Sequence, residues 1–176
     1  EIIREKGTNR SKFFRGELDK YEWVDVGSSF LPSDITAAFL YAQCLSLDEI
    51  QSKRLKIWNT YYEKLKSLQD KNLVQLPNLP EFATNNAHIF YLVCKNIEER
   101  TALIQELKNN NIDSVFHYLS LHNSPFFKGK HDGRILPNAD NYTNCLLRLP
   151  FYYELEIDMV HRICDVINFF LQKQLV

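Results

Sequence analysis

From Ser33 the chain turns helical. Ile35, Ala38, Phe39 and Ala42 fall at i, i+3, i+4 and i+7, an apolar stripe whose small members permit close packing. Ser33 follows Pro32 and is an N-cap residue type, able to accept one of the unpaired first-turn N–H groups, while Asp34 puts a negative charge at the positive end of the helix dipole. Ser46-Leu47-Asp48-Glu49 has the form of a capping box and restarts a helix. Beyond it Ile50, Arg54, Ile57, Tyr61, Leu65 and Leu68 step by three or four, one amphipathic face with its charges opposite. The two helices read as a long bent spine from about Ser33 to Gln69, ended by Asp70-Lys71-Asn72, with Tyr61 and Tyr62 as packing residues.

Pro77 and Pro80 then punctuate an extended connector. The run from His88 to Cys94 is rich in β-formers and apolar on both faces, which predicts a buried strand. Asn96-Ile97-Glu98-Glu99 opens a helix through Leu103, Ile104 and Leu107, and Asn109-Asn110-Asn111 closes it because Asn tolerates the left-handed conformation. A second strand is expected over Ile112 to Tyr118 and a third over Leu146 to Leu149. Between them Ser124 to Asn144 reads as helix-like or irregular, with Gly129, Gly133 and Pro137 breaking any long period. Ile157, Val160, Cys164, Ile167 and Leu171 mark a final amphipathic helix. Strands and helices alternating in this way predict an α/β layer, a small sheet covered by helices.

At 176 residues the chain suits one hydrophobic core, and 45% hydrophobic with 24% charged residues is ordinary for a globular protein. A net charge of −1 argues against a bulk electrostatic grip on nucleic acid or an anionic membrane. No apolar run approaches the roughly 18 residues of a spanning helix, and Glu1 to Arg10 is too charged for a signal peptide. Cys44, Cys94, Cys145 and Cys164 form no close pair, which fits buried thiols in a reducing, cytoplasmic setting. A chain that opens at Glu1 and not at Met fits a fragment.

Three places carry candidate chemistry. The small polar turn Gly27-Ser28-Ser29 can present hydroxyls and N–H groups to an anion, or can be no more than the entry to a capped helix. The opening segment, residues 1–26, reads as an arm in which Lys12, Arg15 and Lys20 sit among Phe13, Phe14, Tyr21 and Trp23. Such interleaving can grip a nucleotide, Arg forking onto a diphosphate and a ring stacking on a base, or can be a solvated loop with aromatic anchors. His117 and His122 lie five apart at a strand end. No Cys, Asp or Glu near them in sequence completes a ligand set, so no metal is expected.

The run GSSFLPSDITAAFLYAQ, Gly27 to Gln43, resembles the segment of the DegT/DnrJ/EryC1/StrS sugar aminotransferases that reads Gly-x-Asn-x-Arg-Met-(polar)-(acidic)-x-Gln-Ala-Ala. The upstream run EIIREKGTNRSKFFRGELDKYEWVDVGSS is similar to one subgroup of that family. His117, Tyr118, Leu121 and His122 match the family's His-Tyr-x-Pro-Leu-His, with Ser120 where Pro is usual, and Arg148-Leu149-Pro150-Phe151 resembles its closing Leu-Pro-(Leu/Phe) signature. The resemblance covers essentially the whole chain and matches the part of the family that follows the catalytic lysine.

It implies an α/β fold: the C-terminal small domain of a fold type I pyridoxal 5′-phosphate-dependent transferase, a long bent helix plus a small, mainly antiparallel sheet covered by helices. Residues 1–32 would be an arm and loop of the large-domain and dimer-contact region, and 33–176 the small domain. The implied activity moves an amino group from glutamate to the C4 ketone of dTDP-4-keto-6-deoxyglucose, in a homodimer that shares its active site across the interface. Ser29 stands for the family Asn that reaches the cofactor phosphate; its hydroxyl can still donate but reaches less far, and Leu31 replaces the family Arg. His117, Tyr118 and His122 are implied to line the sugar site, His88 matches a further family position, and Arg10 and Arg15 belong to a loop that encloses the nucleotide.

No catalytic residue is expected within the chain. The cofactor needs an anchoring lysine and an acidic partner for its pyridine nitrogen, both upstream in the family, and none of Lys6, Lys12 or Lys20 sits in such a context. The chain alone should be unable to transaminate. Two other readings stay open: a non-catalytic sugar- or nucleotide-binding or dimerisation module of the same fold, and a sugar dehydratase in which histidine replaces the anchoring lysine.

Overall fold

The computed structural model describes residues 1–173. It resolves into two compact units, Glu1–Leu47 and a second that begins at Asp48. The first is built from backbone pairing and not from a core: within it only Gly7 and Thr8 are buried. After the short helix α1 (Arg10–Phe14) the chain doubles back, and isolated bridges tie Thr8 to Trp23 and Glu5 to Ser29. Two glycines permit this crossing. A Cβ on Gly27 would meet the Gly7 nitrogen at 2.2 Å, and one on Gly7, whose φ is +77°, would meet the Asp25 carbonyl oxygen at 1.9 Å.

Helix α2 (Asp34–Cys44) starts where the capping signal places it, with the Ser33 hydroxyl accepting from the Thr36 N–H. Its apolar stripe does not pack as the spacing suggests. No residue of α2 is buried, and Ile35 and Phe39 are 84% and 71% exposed. A stripe needs a complementary apolar surface, and a unit without an apolar core supplies none. The helix stops at Cys44, Leu45 and Ser46 form a turn, and α3 (Leu47–Asp70) begins, so the predicted spine is two helices with a break at the capping box.

In the second unit α3 buries Ile57, Trp58, Tyr61, Leu65 and Leu68 on one face, as its periodicity requires. It ends at Asn72, whose φ of +55° lets the Leu73 N–H return to the Leu68 carbonyl. The three strands are β1 (Tyr91–Val93), β2 (Val115–Phe116) and β3 (Leu146–Arg148), with helix α4 (Ile97–Asn109) between the first two and α5 (Pro137–Cys145) leading straight into the third. The last strand in sequence is the central one, antiparallel to both neighbours in the order β1-β3-β2. Helix α6 (Ile157–Lys173) closes the unit.

Leu92 and Leu147 pair across the sheet and are fully buried. Their face joins one core with α3, with Leu103 and Leu107 of α4, and with Val160, Ile163, Cys164, Ile167 and Leu171 of α6. Tyr91, Val93, Cys145 and Leu146 form a smaller cluster. This is the small antiparallel sheet covered by helices.

Three expectations are corrected. The first strand is three residues long and not seven, although the Leu149 N–H reaches the Phe90 carbonyl and the Cys94 N–H the Cys145 carbonyl just beyond it. The second keeps only Val115 and Phe116: Ile112 is taken by the end of α4, its N–H on the Leu107 carbonyl, and Tyr118 turns left-handed at φ +40°. Pro137 does not break a period but opens α5, because the first turn of a helix needs no N–H from it.

Candidate functional site

The candidate residues fall in both units, and each group is described within its own. In the first, the Glu5–Ser29 bridge brings the two ends of the arm together beside a cleft of about 540 Å³. Arg10 and Ser29 share its wall with Arg4, Lys6, Tyr21 and Trp23. The Arg10 guanidinium lies 4.9 Å above the Phe14 ring, and Trp23 is 77% exposed. Glu5 and Asp34 also line the cleft. The Ser11 hydroxyl donates to Glu5 at 2.6 Å and holds its carboxyl below the ordinary range.

Arg15 lies elsewhere. Its guanidinium donates to Glu17 at 2.6 Å and to Glu1 at 3.0 Å, and it does not line the cleft. Sequence reading found Arg10 and Ser29 but missed Arg4 and Lys6, which reach the cleft only through the strand-like pairing of residues 3–8 with 23–30. With three cations against two carboxylates, and among the described residues no hydrogen bond to the Ser29 hydroxyl, the cleft fits a phosphate-bearing ligand.

In the second unit β2 delivers His117 and Tyr118 to the sheet edge. Their rings meet edge to face at 4.9 Å, and Tyr118 is 79% exposed. The His117 Nδ1 is buried without a hydrogen-bond partner, as is the Arg148 Nε. Val115 pairs with Arg148 across the sheet, so by strand alternation Arg148 and His117 belong to the same face.

His122 points away from that pair toward α5. Its Nε2 is 3.0 Å from an Asp140 carboxylate oxygen, its ring is 5.3 Å from that of His131, and its side chain is only 12% exposed. Ser120, at the position where the family has Pro, is buried, and its hydroxyl contacts Thr143 and the Ala139 carbonyl on α5. A proline could not make those contacts.

His88 sits apart, in a shallow depression with Trp58, Pro77 and Asn85. Its backbone is held from α3, where the Arg54 guanidinium donates to the Ala87 and His88 carbonyls at 3.1 and 2.6 Å. The structure therefore joins His117 to Tyr118 and His122 to Asp140 and His131, and leaves His88 outside both groups. Asp140 and His131 gave no signal in sequence, since each lies well beyond the His-Tyr-x-x-Leu-His run.

Among the described residues no cluster of three or more His, Cys, Asp or Glu is disposed to hold a metal ion. All four cysteines are free thiols, and burial pushes Cys94 and Cys164 up to about 12. Among the described residues no helix is long and apolar enough to cross a membrane.

The architecture is that of a fold type I pyridoxal phosphate-dependent transferase, in the part that carries the small antiparallel sheet. DesV of S. venezuelae superposes with a TM-score of 0.81 at 24% identity over 97% of this chain and 42% of its own. PseC of Helicobacter pylori, an aminotransferase of pseudoaminic acid biosynthesis, gives 0.77 at 16% identity, covering 98% and 45%. The model of the DegT/DnrJ/EryC1/StrS aminotransferase family matches residues 1–168, and the chain belongs to that family. An uncharacterized protein of Methanocaldococcus jannaschii, MJ1066, is 27% identical over 178 residues, spanning 96% of this chain and 44% of that protein. The chain thus spans less than half the length of the relatives it matches.

Proposed function

We propose that the whole protein is a pyridoxal phosphate-dependent nucleotide-sugar 4-aminotransferase. It would carry an amino group from glutamate to the C4 ketone of dTDP-4-keto-6-deoxyglucose, as does dTDP-4-amino-4,6-dideoxygalactose transaminase of enterobacterial common antigen and lipopolysaccharide sugar synthesis, which the sequence resembles. The observation that carries the reading is the family match over residues 1–168, joined to a cationic, aromatic-walled cleft that holds Ser29. In this reading the protein is a cytoplasmic homodimer, residues 1–32 belong to its large-domain and dimer-contact region, and residues 33–176 form its small domain. The anchoring lysine lies upstream of Glu1, so this chain alone does not transaminate.

Bound pyridoxal phosphate supplies the electron sink that labilises the donor's Cα–H bond. The chain's own residues bind and orient. The Ser29 hydroxyl donates to the cofactor phosphate, and Arg10 pairs with the nucleotide diphosphate beside an exposed aromatic wall. Arg15 is already held by Glu1 and Glu17 and contributes through the arm's shape. Tyr118, His117 and His122 meet sugar hydroxyls, and His88, set apart from them in the fold, is assigned to the substrate by its family position alone.

The test is the visible absorption spectrum of the full-length gene product with pyridoxal phosphate, before and after borohydride. We expect a band that reduction locks onto a lysine upstream of Glu1 and that glutamate bleaches. No band, or a bound cofactor that reduction does not trap, would sink the reading and bring forward the sugar dehydratase or the non-catalytic binding module.

A further inference from the structure

We propose that Arg148, at the end of the central strand, is the residue that holds a carboxylate of the amino donor. Among the described residues every other arginine is engaged. Arg4, Arg15 and Arg134 pair with carboxylates, Arg54, Arg100 and Arg162 donate to backbone carbonyls, and Arg10 lies over the Phe14 ring. Arg148 has no hydrogen bond, ion pair or ring contact among them, and its Nε is buried.

Its backbone is fixed. Arg148 stands opposite Tyr91 of β1 on one side and Val115 of β2 on the other, and neither carries a carboxylate. The N–H of the next residue, Leu149, reaches the Phe90 carbonyl at 3.1 Å, so the strand has no slack with which to carry the side chain elsewhere. A guanidinium offers five N–H donors and no acceptor, and it is a permanent cation. A buried donor left unpaired costs free energy, and an oxyanion bound to it offsets that cost.

A second group marks the same face. Three buried side-chain polar atoms among the described residues lack a partner: the Ser114 hydroxyl, His117 Nδ1 and Arg148 Nε. Ser114 precedes Val115, so strand alternation turns it to the opposite face from Arg148. His117 and Arg148 fall on one face, so two unpaired polar groups from neighbouring strands share it. That is what a polar ligand needs and a packed apolar layer does not.

This deepens the proposed function and rests on it. In that reading the phosphates of cofactor and nucleotide are met by Ser29 and Arg10, and the sugar ring is uncharged. The anions still without a cation are the carboxylates of glutamate. The Nε edge of a guanidinium forks onto two oxygens of one planar carboxylate, a match that a lysine ammonium cannot make. Donor and sugar take the site in turn, so Arg148 can serve the first beside the His117 that serves the second.

The experiment uses the full-length protein with pyridoxal phosphate. In Arg148→Gln the glutamate concentration that half-bleaches the visible band should rise about 10- to 100-fold, and in Arg148→Lys by less. Calorimetric affinity for glutarate, a dicarboxylate with no amino group to transfer, should fall in parallel, while dTDP-glucose binding stays as in wild type. Glutamate and glutarate affinities unchanged in Arg148→Gln overturn the proposal. A loss of dTDP-glucose affinity in their place also overturns it, because the oxyanion on Arg148 is then a nucleotide phosphate.

Stability provides the second readout. With no partner to abandon, Arg148→Met should leave the unfolding midpoint of the ligand-free protein unchanged or raised. A lower midpoint with unchanged glutarate affinity makes Arg148 half of a structural ion pair and overturns its role at the donor. A wild-type protein that glutamate does not bleach sinks the aminotransferase reading and this one with it. A wild type that bleaches, matched by an Arg148→Gln that bleaches identically, sinks the role of Arg148 and leaves that reading standing.

Discussion

Two residues show how much a single backbone position decides. Gly27 looks in sequence like part of a flexible turn, yet it is where two backbones touch, a Cβ there lying 2.2 Å from the Gly7 nitrogen and 2.6 Å from the Ile3 carbonyl oxygen. Gly27→Ala should therefore open the pairing of residues 3–8 with 23–30 at a cost above about 1 kcal/mol. Faster hydrogen exchange at Lys6 and Ser28, whose N–H groups donate to the Ser28 and Ile3 carbonyls at 3.0 and 2.9 Å, would report it, and unchanged exchange would refute it. Tyr118 is the opposite case, a bulky residue held at φ +40° with most of its ring in solvent. Relief of left-handed strain, about 1–2 kcal/mol, exceeds or matches the roughly 0.5–1 kcal/mol of chain entropy that glycine brings. Tyr118→Gly should leave thermal unfolding unchanged or slightly raised while weakening dTDP-glucose binding, a split that calorimetry and titration on the same samples can read. A large drop in the unfolding temperature would mean that the ring packs more than its exposure implies.

At the scale of elements, helices obeyed their caps more faithfully than strands obeyed their composition. Asn96 accepts from the Glu99 N–H at 2.8 Å, while the Glu99 carboxylate returns to the Lys95 N–H and not to the cap residue's own, a capping box displaced by one position. Asn96→Ala should cost about 0.5–2 kcal/mol, typically near 1, measured as a lower urea midpoint with an unchanged slope. The strands came out short because a strand is defined by its partner. The second predicted strand has one only along β3, and only for Val115 and Phe116. The helix α5 was hidden by Pro137 and by a polar run with no apolar stripe, its start set by a proline whose missing N–H costs nothing in a first turn.

Across the whole second unit, burial sets a pH limit. Cys94 and Cys164 are pushed up to about 12 by desolvation, and Tyr61, whose hydroxyl donates to the Pro150 carbonyl at 3.0 Å, is raised as well. Unfolded thiols ionise near about 8.5, so above that value the unfolded chain loses protons that the folded chain keeps. The stability these groups contribute is complete below the unfolded value and falls as pH climbs toward the folded one. Urea midpoints should decline between about pH 8 and pH 10, and less steeply in a Cys94→Ala, Cys164→Ala double variant. Equal slopes would place those thiols in contact with water. In the native protein both should also resist a thiol reagent that modifies them once the chain is unfolded.

What the sequence determined by itself was local or repeated: helix starts at Ser33 and Asn96, the buried faces of α3 and α6, the helix ends at Asn72 and Asn111, and a run of motifs specific enough to place the family. These signals rest on side chains within one helical turn of each other, or on residue identities in a row. Tertiary structure alone decided which strand is central, that Arg4 and Lys6 reach the cleft with Ser29 while Arg15 does not, and that Asp140 on α5 holds the loop carrying His122. Those relations join residues from 17 to more than 20 positions apart through backbone pairing and shared acceptors. Neither periodicity nor capping encodes such distances. The exposed stripe of α2 belongs to the same class: its pattern announces a face to be covered, and only a folded neighbour determines what covers it.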